Sequence, residues 1–183
     1  MISARQPIDR LESNISWQAF EQQHDHNRTV QMIDTKNLSA QLEPRVVAEC
    51  PDHAWAHRLF LIYQTVFEDV LKRFPQESDF VFLEDDALLV DASVFEFEVC
   101  RAQVEEHAFF SLYRASRQDS CIYHSGTVAF YITKPVMEEV IRVGTATSCR
   151  LPIDIFLATN GPWYATAEDI VRHHSVRTKL IDG

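Results

Sequence analysis

Glycine is scarce. The chain has 4 in 183 residues, and none builds a glycine-rich phosphate loop of either standard type. With only 7 prolines as well, long disordered linkers are not expected. Cysteine is equally sparse: Cys50, Cys100, Cys121 and Cys149 lie far apart with no CxxC pair. That excludes the usual zinc spacings and the density of a small secreted scaffold, so buried free thiols are expected. No stretch approaches the ~20 apolar residues that span a bilayer. The opening Met1-Ile2-Ser3-Ala4-Arg5-Gln6 has no apolar run of signal-peptide length. Positive charge is in deficit too: 17 Lys and Arg against 27 Asp and Glu leave a formal net charge of -10. Such a field disfavours nucleic acid and anionic membranes as partners, and admits an anionic ligand only where a cation or local Arg and His neutralise it. A soluble, cytoplasmic protein is the expectation.

What remains is an ordinary globular composition, 46% hydrophobic and 24% charged, in a length that fits one domain over 1–183. After a strand stub at the start, Leu11 to Gln23 has helical spacing, and Val30 to Asp34 reads as a short strand. Asp34 ends that strand, where an acid suits a ribose hydroxyl in a doubly wound sheet; an Asp in a turn is an equal reading. Val46-Val47-Ala48 reads as a further extended piece. Asp52 looks like an N-cap for a long helix from about His53 to Phe74, closed by Pro75. His57 and Arg58 fall in its first two turns, where backbone amides favour an anion; an ordinary half-exposed pair is the plain alternative. Ser93 is placed to cap a helix through about His107, and Ala108 to Tyr113 reads as a strand. The segment Arg114 to Tyr123 is a polar loop, and His124 to Thr133 is a loop feeding an apolar strand. Lys134-Pro135 opens a helix that Gly144 is placed to end. A short helix begins near Pro152, Trp163 to Ala167 makes a last strand, and the tail carries His173 and His174. Strands alternating with helices indicate an α/β fold with a largely parallel sheet and a mixed edge near the chain's end.

One stretch stands apart. Phe80-Val81-Phe82-Leu83 reads as a buried strand, and it delivers Glu84, Asp85 and Asp86 at its C-terminal end. Ligands bind at that edge of open α/β sheets. Three adjacent carboxylates repel one another, and a divalent cation with its preference for carboxylate oxygens would offset this. A polar turn capping a strand is the plain alternative; the apolar runs on both sides favour a metal and nucleotide-sugar site. Asp154 is the other isolated acid, set in the apolar Pro152-Ile153-Asp154-Ile155-Phe156-Leu157 with no evident local partner. Burial there would raise its pKa and suit a base, whereas a helix N-terminal acid interacting with the dipole is the bland reading.

In order and spacing these features resemble the metal-dependent, GT-A-type glycosyltransferases. The sequence is similar to glycosyltransferase family 25, which includes bacterial lipopolysaccharide hexosyltransferases and procollagen galactosyltransferases. The matching stretches are Arg5 to Arg10, Trp55 to Leu59, Val81 to Asp86, Gly126 to Ile132 and Pro152 to Leu157. The resemblance implies a single Rossmann-like GT-A domain that moves a hexose from a UDP-sugar to a glycan or other hydroxyl acceptor. It implies that Glu84 and Asp86 hold metal and diphosphate, and that Asp85 holds ribose or donor sugar. Asp9 and Arg10 would lie beside the nucleotide, His57 on the donor side, and Ser125 and Gly126 beneath donor and acceptor. Asp154 would be the catalytic base of an inverting enzyme. His173, or else His174, would be the C-terminal metal ligand. An oxygen site suits Mn²⁺ or Mg²⁺, and a His ligand tilts the choice to Mn²⁺. The chain departs from the family in having Ala56 for a Ser, Glu-Asp-Asp for Asp-x-Asp, and a shorter first strand. Two rivals use the same features: a metal-dependent nucleotidyltransferase or nucleotide-sugar hydrolase, and a non-catalytic domain that keeps the fold.

Overall fold

The computed structural model describes residues 2–3, 33–84, 87–113, 127–146, 152–159, 164–167 and 170–173. In chain order the elements are β1 (Ile2–Ser3), β2 (Ile33–Asp34), α1 (Thr35–Glu49), a 3-10 turn (Pro51–His53) and α2 (Ala54–Arg73). There follow β3 (Asp79–Leu83), β4 (Ala87–Leu89), α3 (Ala92–Val104), β5 (Phe109–Ser111) and β6 (Ala129–Thr133). The last are α4 (Lys134–Ala146), α5 (Ile153–Thr159), β7 (Tyr164–Ala165) and β8 (Val171–His173). The fold is mixed α/β.

Four strands form one sheet in the order β3-β6-β5-β7. β6 pairs antiparallel with both β3 and β5, and β5 pairs parallel with β7. It follows that β3, β5 and β7 run one way and β6 alone runs the other. The largely parallel ladder expected from the sequence is therefore not found among the described residues, and the reversed strand sits inside the sheet, not at a late edge. The reason is in the connection. A parallel neighbour needs a crossover of a dozen or more residues, usually a helix, whereas the residues from Arg114 to Tyr123 already read as loop. Two smaller pairs complete the strands: β1 parallel to β2, and β4 antiparallel to β8.

Both faces of the four-stranded sheet are covered, which is why β6 is apolar at every position from Ala129 to Ile132. Phe130 and Ile132 face a core built with Phe60, Phe67, Met137, Val140, Ile153 and Leu157, so α2, α4 and α5 lie on that side. Ala129 and Tyr131 face the other core with Phe95, Val99, Ala102 and Phe110, so α3 covers it. β3 is an edge strand of this sheet with Phe82 buried and Val81 36% exposed; the strand expected to be wholly buried is half-buried.

The long helix matches its expectation within a residue at each end, because its apolar stripe is long and regular. Asp52, however, lies in the 3-10 turn, and His53 in the cap position makes no side-chain cap bond. Residues 46–48 are helical rather than extended: α1 continues past Pro44, and Val46 is fully buried. The cap of α3 is Asp91, not Ser93. Its Oδ1 accepts the Ser93 and Val94 amides at 2.9 and 3.1 Å and the Ser93 hydroxyl at 2.7 Å. Those bonds, the Ser93 hydroxyl first, hold the Asp91 carboxyl below its ordinary range. Gly144 lies inside α4 and does not end it. Cys50 is buried but disulfide-bonded, and Cys100 is free but exposed, so the buried free thiols expected are found at neither. No described helix is long and apolar enough to cross a membrane.

Candidate functional site

Because β3, β5 and β7 share a direction, their C-terminal ends lie along one edge of the sheet, and reversed β6 begins there. Leu83 stands opposite Ala129, and Ser111 opposite Phe130 and Ala165. Backbone bonds continue each strand by a residue: the Glu84 amide donates to Val128 O at 2.8 Å, Leu112 to Ala129 O at 3.0 Å and Thr166 to Ser111 O at 2.9 Å. The edge where a ligand is expected in such sheets is thus lined by Glu84 and Thr127, with Leu112 and Thr166 beyond.

Glu84 is half-buried and held firmly. Its Oε1 accepts the Thr127 hydroxyl at 2.7 Å and the Tyr63 hydroxyl at 3.1 Å. The Tyr63 hydroxyl also lies 3.3 Å from Thr127 O. Tyr63 comes from the middle of α2, is 1% exposed, and packs its ring on Phe67 and Phe130 at centroid distances of 5.8 and 5.9 Å. Burial, then the Glu84 charge, holds its phenol well above the ordinary range; the Asp154 charge adds to this.

Asp154 stands in the first turn of α5. Its neighbours fix that turn: Ile153 and Leu157 enter the core, and Phe156 meets Phe60 edge-on at 5.3 Å. Asp154 itself is half-buried, not enclosed as its apolar neighbours in sequence suggested. The arrangement sets one carboxylate, Glu84 at the end of β3, against a buried phenol and a buried hydroxyl; Asp154, at the start of α5, adds negative charge that the phenol feels.

The other residues singled out in the sequence fall as follows. His57 is fully buried, with Nε2 2.9 Å from Glu49 Oε2, and so links α2 to α1. Its Nδ1 has no hydrogen-bond partner. The Arg45 side chain bonds the same Glu49 carboxylate at 2.7 Å; that bond is the main cause holding the Glu49 carboxyl below its ordinary range, with His57 acting in the same sense. Asp34 closes β2 opposite Ser3. His173 pairs by its backbone with Ala87, one residue beyond Asp86 in the chain, so β8 runs beside β4. Asp9, Arg10, Asp85, Asp86, Ser125 and Gly126 lie outside the described residues, as does the helix expected over Leu11 to Gln23.

A divalent cation fits this edge in kind. Its one described carboxylate is oriented by two hydroxyl donors, as metal-binding carboxylates commonly are. In number the described residues fall short: no group of three or more His, Cys, Asp or Glu among them could hold a metal ion.

Two residues of the site went unmarked in the sequence. Tyr63 reads there as one more apolar residue of the α2 stripe. Its signal is chemical: a Tyr on a face otherwise built of Phe, Val, Ile and Leu needs a partner for its hydroxyl. Thr127 sits one place past the Ser125-Gly126 pair and carried no signal of its own.

No protein-family description matches the chain, and no curated protein does. Among solved structures, one that matches is a glycosyltransferase involved in the glycosylation of the major capsid of PBCV-1. It is 10% identical, the match covers 90% of this chain and 80% of that one, and the TM-score is 0.49. At that identity and TM-score, the likeness says nothing of what this chain does.

Proposed function

We propose that the chain is a metal-dependent glycosyltransferase that moves a hexose from a UDP-sugar to a hydroxyl of a glycan or similar acceptor. The observation that carries this reading is the Glu84 carboxylate at the C-terminal end of β3, held by the hydroxyls of Tyr63 and Thr127. Glu84, with Asp86 and His173, would hold a cation, Mn²⁺ before Mg²⁺. Such an ion supplies Lewis-acid stabilisation of the diphosphate charge as UDP leaves. Asp9, Arg10, Asp34 and Asp85 would bind the nucleotide sugar, and Ser125 and Gly126 would lie beneath it; His57, fully buried and bonded to Glu49, could only support that side from behind. Asp154 would act on the acceptor. The acceptor oxygen bonds to the anomeric carbon, the bond from that carbon to the diphosphate breaks, and a carboxylate oxygen of Asp154 takes the hydroxyl proton. The place of the reaction in the cell is a separate matter, since the Cys50 disulfide favours an oxidising compartment over the cytoplasm.

Asp154→Asn tests the assignment, because it keeps size and hydrogen bonding but cannot accept the proton. Product analysis with UDP-sugars and Mn²⁺ should show sugar transfer by the native chain and roughly 10²-fold less by the variant. UDP-sugar binding and melting temperature should barely move. Cleavage at the phosphate without transfer would indicate phosphoryl chemistry instead, and near-native transfer by Asp154→Asn would remove that residue from the mechanism.

A further inference from the structure

The hydroxyl of Tyr63 has no packing reason to exist. Its ring fills the space between Phe67 and Phe130, and a phenylalanine would fill that space equally well. A buried hydroxyl costs free energy unless it is bonded, so its partners carry its purpose. They are Glu84 Oε1 and Thr127 O, and the Thr127 hydroxyl donates to the same Oε1. Thr127 is 5% exposed, so both donors are shielded from competing water. One donor comes from α2 and the other from the chain entering β6. An oxygen gripped from two elements leaves the carboxylate little freedom to turn about its last bond.

We propose that Tyr63 and Thr127 are positioning residues: by gripping Oε1 they fix the plane of the Glu84 carboxylate toward the cation and diphosphate of the donor. This rests on the donor-side role proposed above for Glu84. Neither hydroxyl touches the reacting atoms. Their effect belongs to the affinity for the cation, where loss of a group supporting a ligand typically costs 10–100-fold.

The test is a calorimetric titration of Mn²⁺ into the native chain and its variants with UDP present, beside a titration of UDP without metal. Tyr63→Phe and Thr127→Val should each weaken Mn²⁺ binding by about 10–100-fold while leaving metal-free UDP binding unchanged. Thr127→Ser, which keeps the hydroxyl, should bind Mn²⁺ like the native chain. A purely structural role would move the melting temperature without this split. Native Mn²⁺ affinity in Tyr63→Phe and Thr127→Val, with the native chain binding Mn²⁺ and UDP, overturns the positioning role and leaves the proposed function standing. Absence of Mn²⁺-dependent UDP binding by the native chain overturns both. Should Thr127→Val fail to fold, Tyr63→Phe and Thr127→Ser decide the matter together.

Discussion

Tyr131, on the middle strand of the sheet, shows what the interior does to an ionisable side chain. Burial, then the charge and hydrogen bond of Asp79, pushes its phenol from 10.0 to about 12. The folded chain keeps this proton at a pH where the unfolded chain has released it. The stability that follows is fully present below about pH 10 and is lost as the pH rises towards about 12. Buried Tyr63 acts in the same sense. Urea unfolding across that range should show stability falling with pH in the native chain and falling less steeply in Tyr131→Phe. An identical alkaline slope in the variant would mean that Tyr131 titrates as though exposed.

Between elements, α2 and α4 come close at Gly144. A methyl group there would collide with the carboxamide of Gln64, whose Nε2 bonds Glu68 Oε1 at 3.3 Å and whose Oε1 has no hydrogen-bond partner. Helix propensity alone favours Ala over Gly by about 1 kcal/mol, so two effects oppose each other. Gly144→Ala should lower the melting temperature of the native chain yet raise it in a Gln64→Ala background, where the collision is gone. The same sign in both backgrounds would show that Gln64 simply moves aside. Gly144 also shows where sequence reading stops. A glycine near a helix end reads as a terminator, and only the neighbouring helix reveals that it is a point of contact. Elements set by their own periodicity were legible, α2 above all, because its stripe repeats over five turns. α1 was misread at Val46, Val47 and Ala48, since the full burial of Val46 and the continuing helix outweigh the local preference of valine for extended backbone, even though Val47 stays exposed. For the candidate site, the sequence offers Glu84 and Asp154 because isolated or clustered carboxylates stand out in it. It gives no sign of Tyr63 and Thr127, whose bonds to Glu84 form only when α2, β3 and the chain entering β6 meet.

For the molecule as a whole, the Cys50 disulfide is the feature that spacing along the chain could not foretell. Cys50 lies in the short stretch between α1 and α2. A cross-link of this kind commonly contributes about 2–4 kcal/mol, largely by restricting the unfolded chain. Chemical unfolding with and without reductant should differ by roughly that amount, and the native chain should label at exposed Cys100 but at Cys50 only after reduction. Equal stability in both conditions would mean that the bond does not form in solution. The antiparallel pairing of β5 with β6 has a consequence of another sort. The chain leaves the C-terminal edge of the sheet after Leu112 and returns to it at Thr127, and the two feet are joined by the bond from Leu112 to Ala129. Strands so paired stand about 4.8 Å apart whatever lies between them, and lengthening a connection costs little free energy, about 0.6 kcal/mol per doubling. A change in the number of residues between those feet therefore costs little stability, while the hydrogen-bonded feet keep Glu84 where it is.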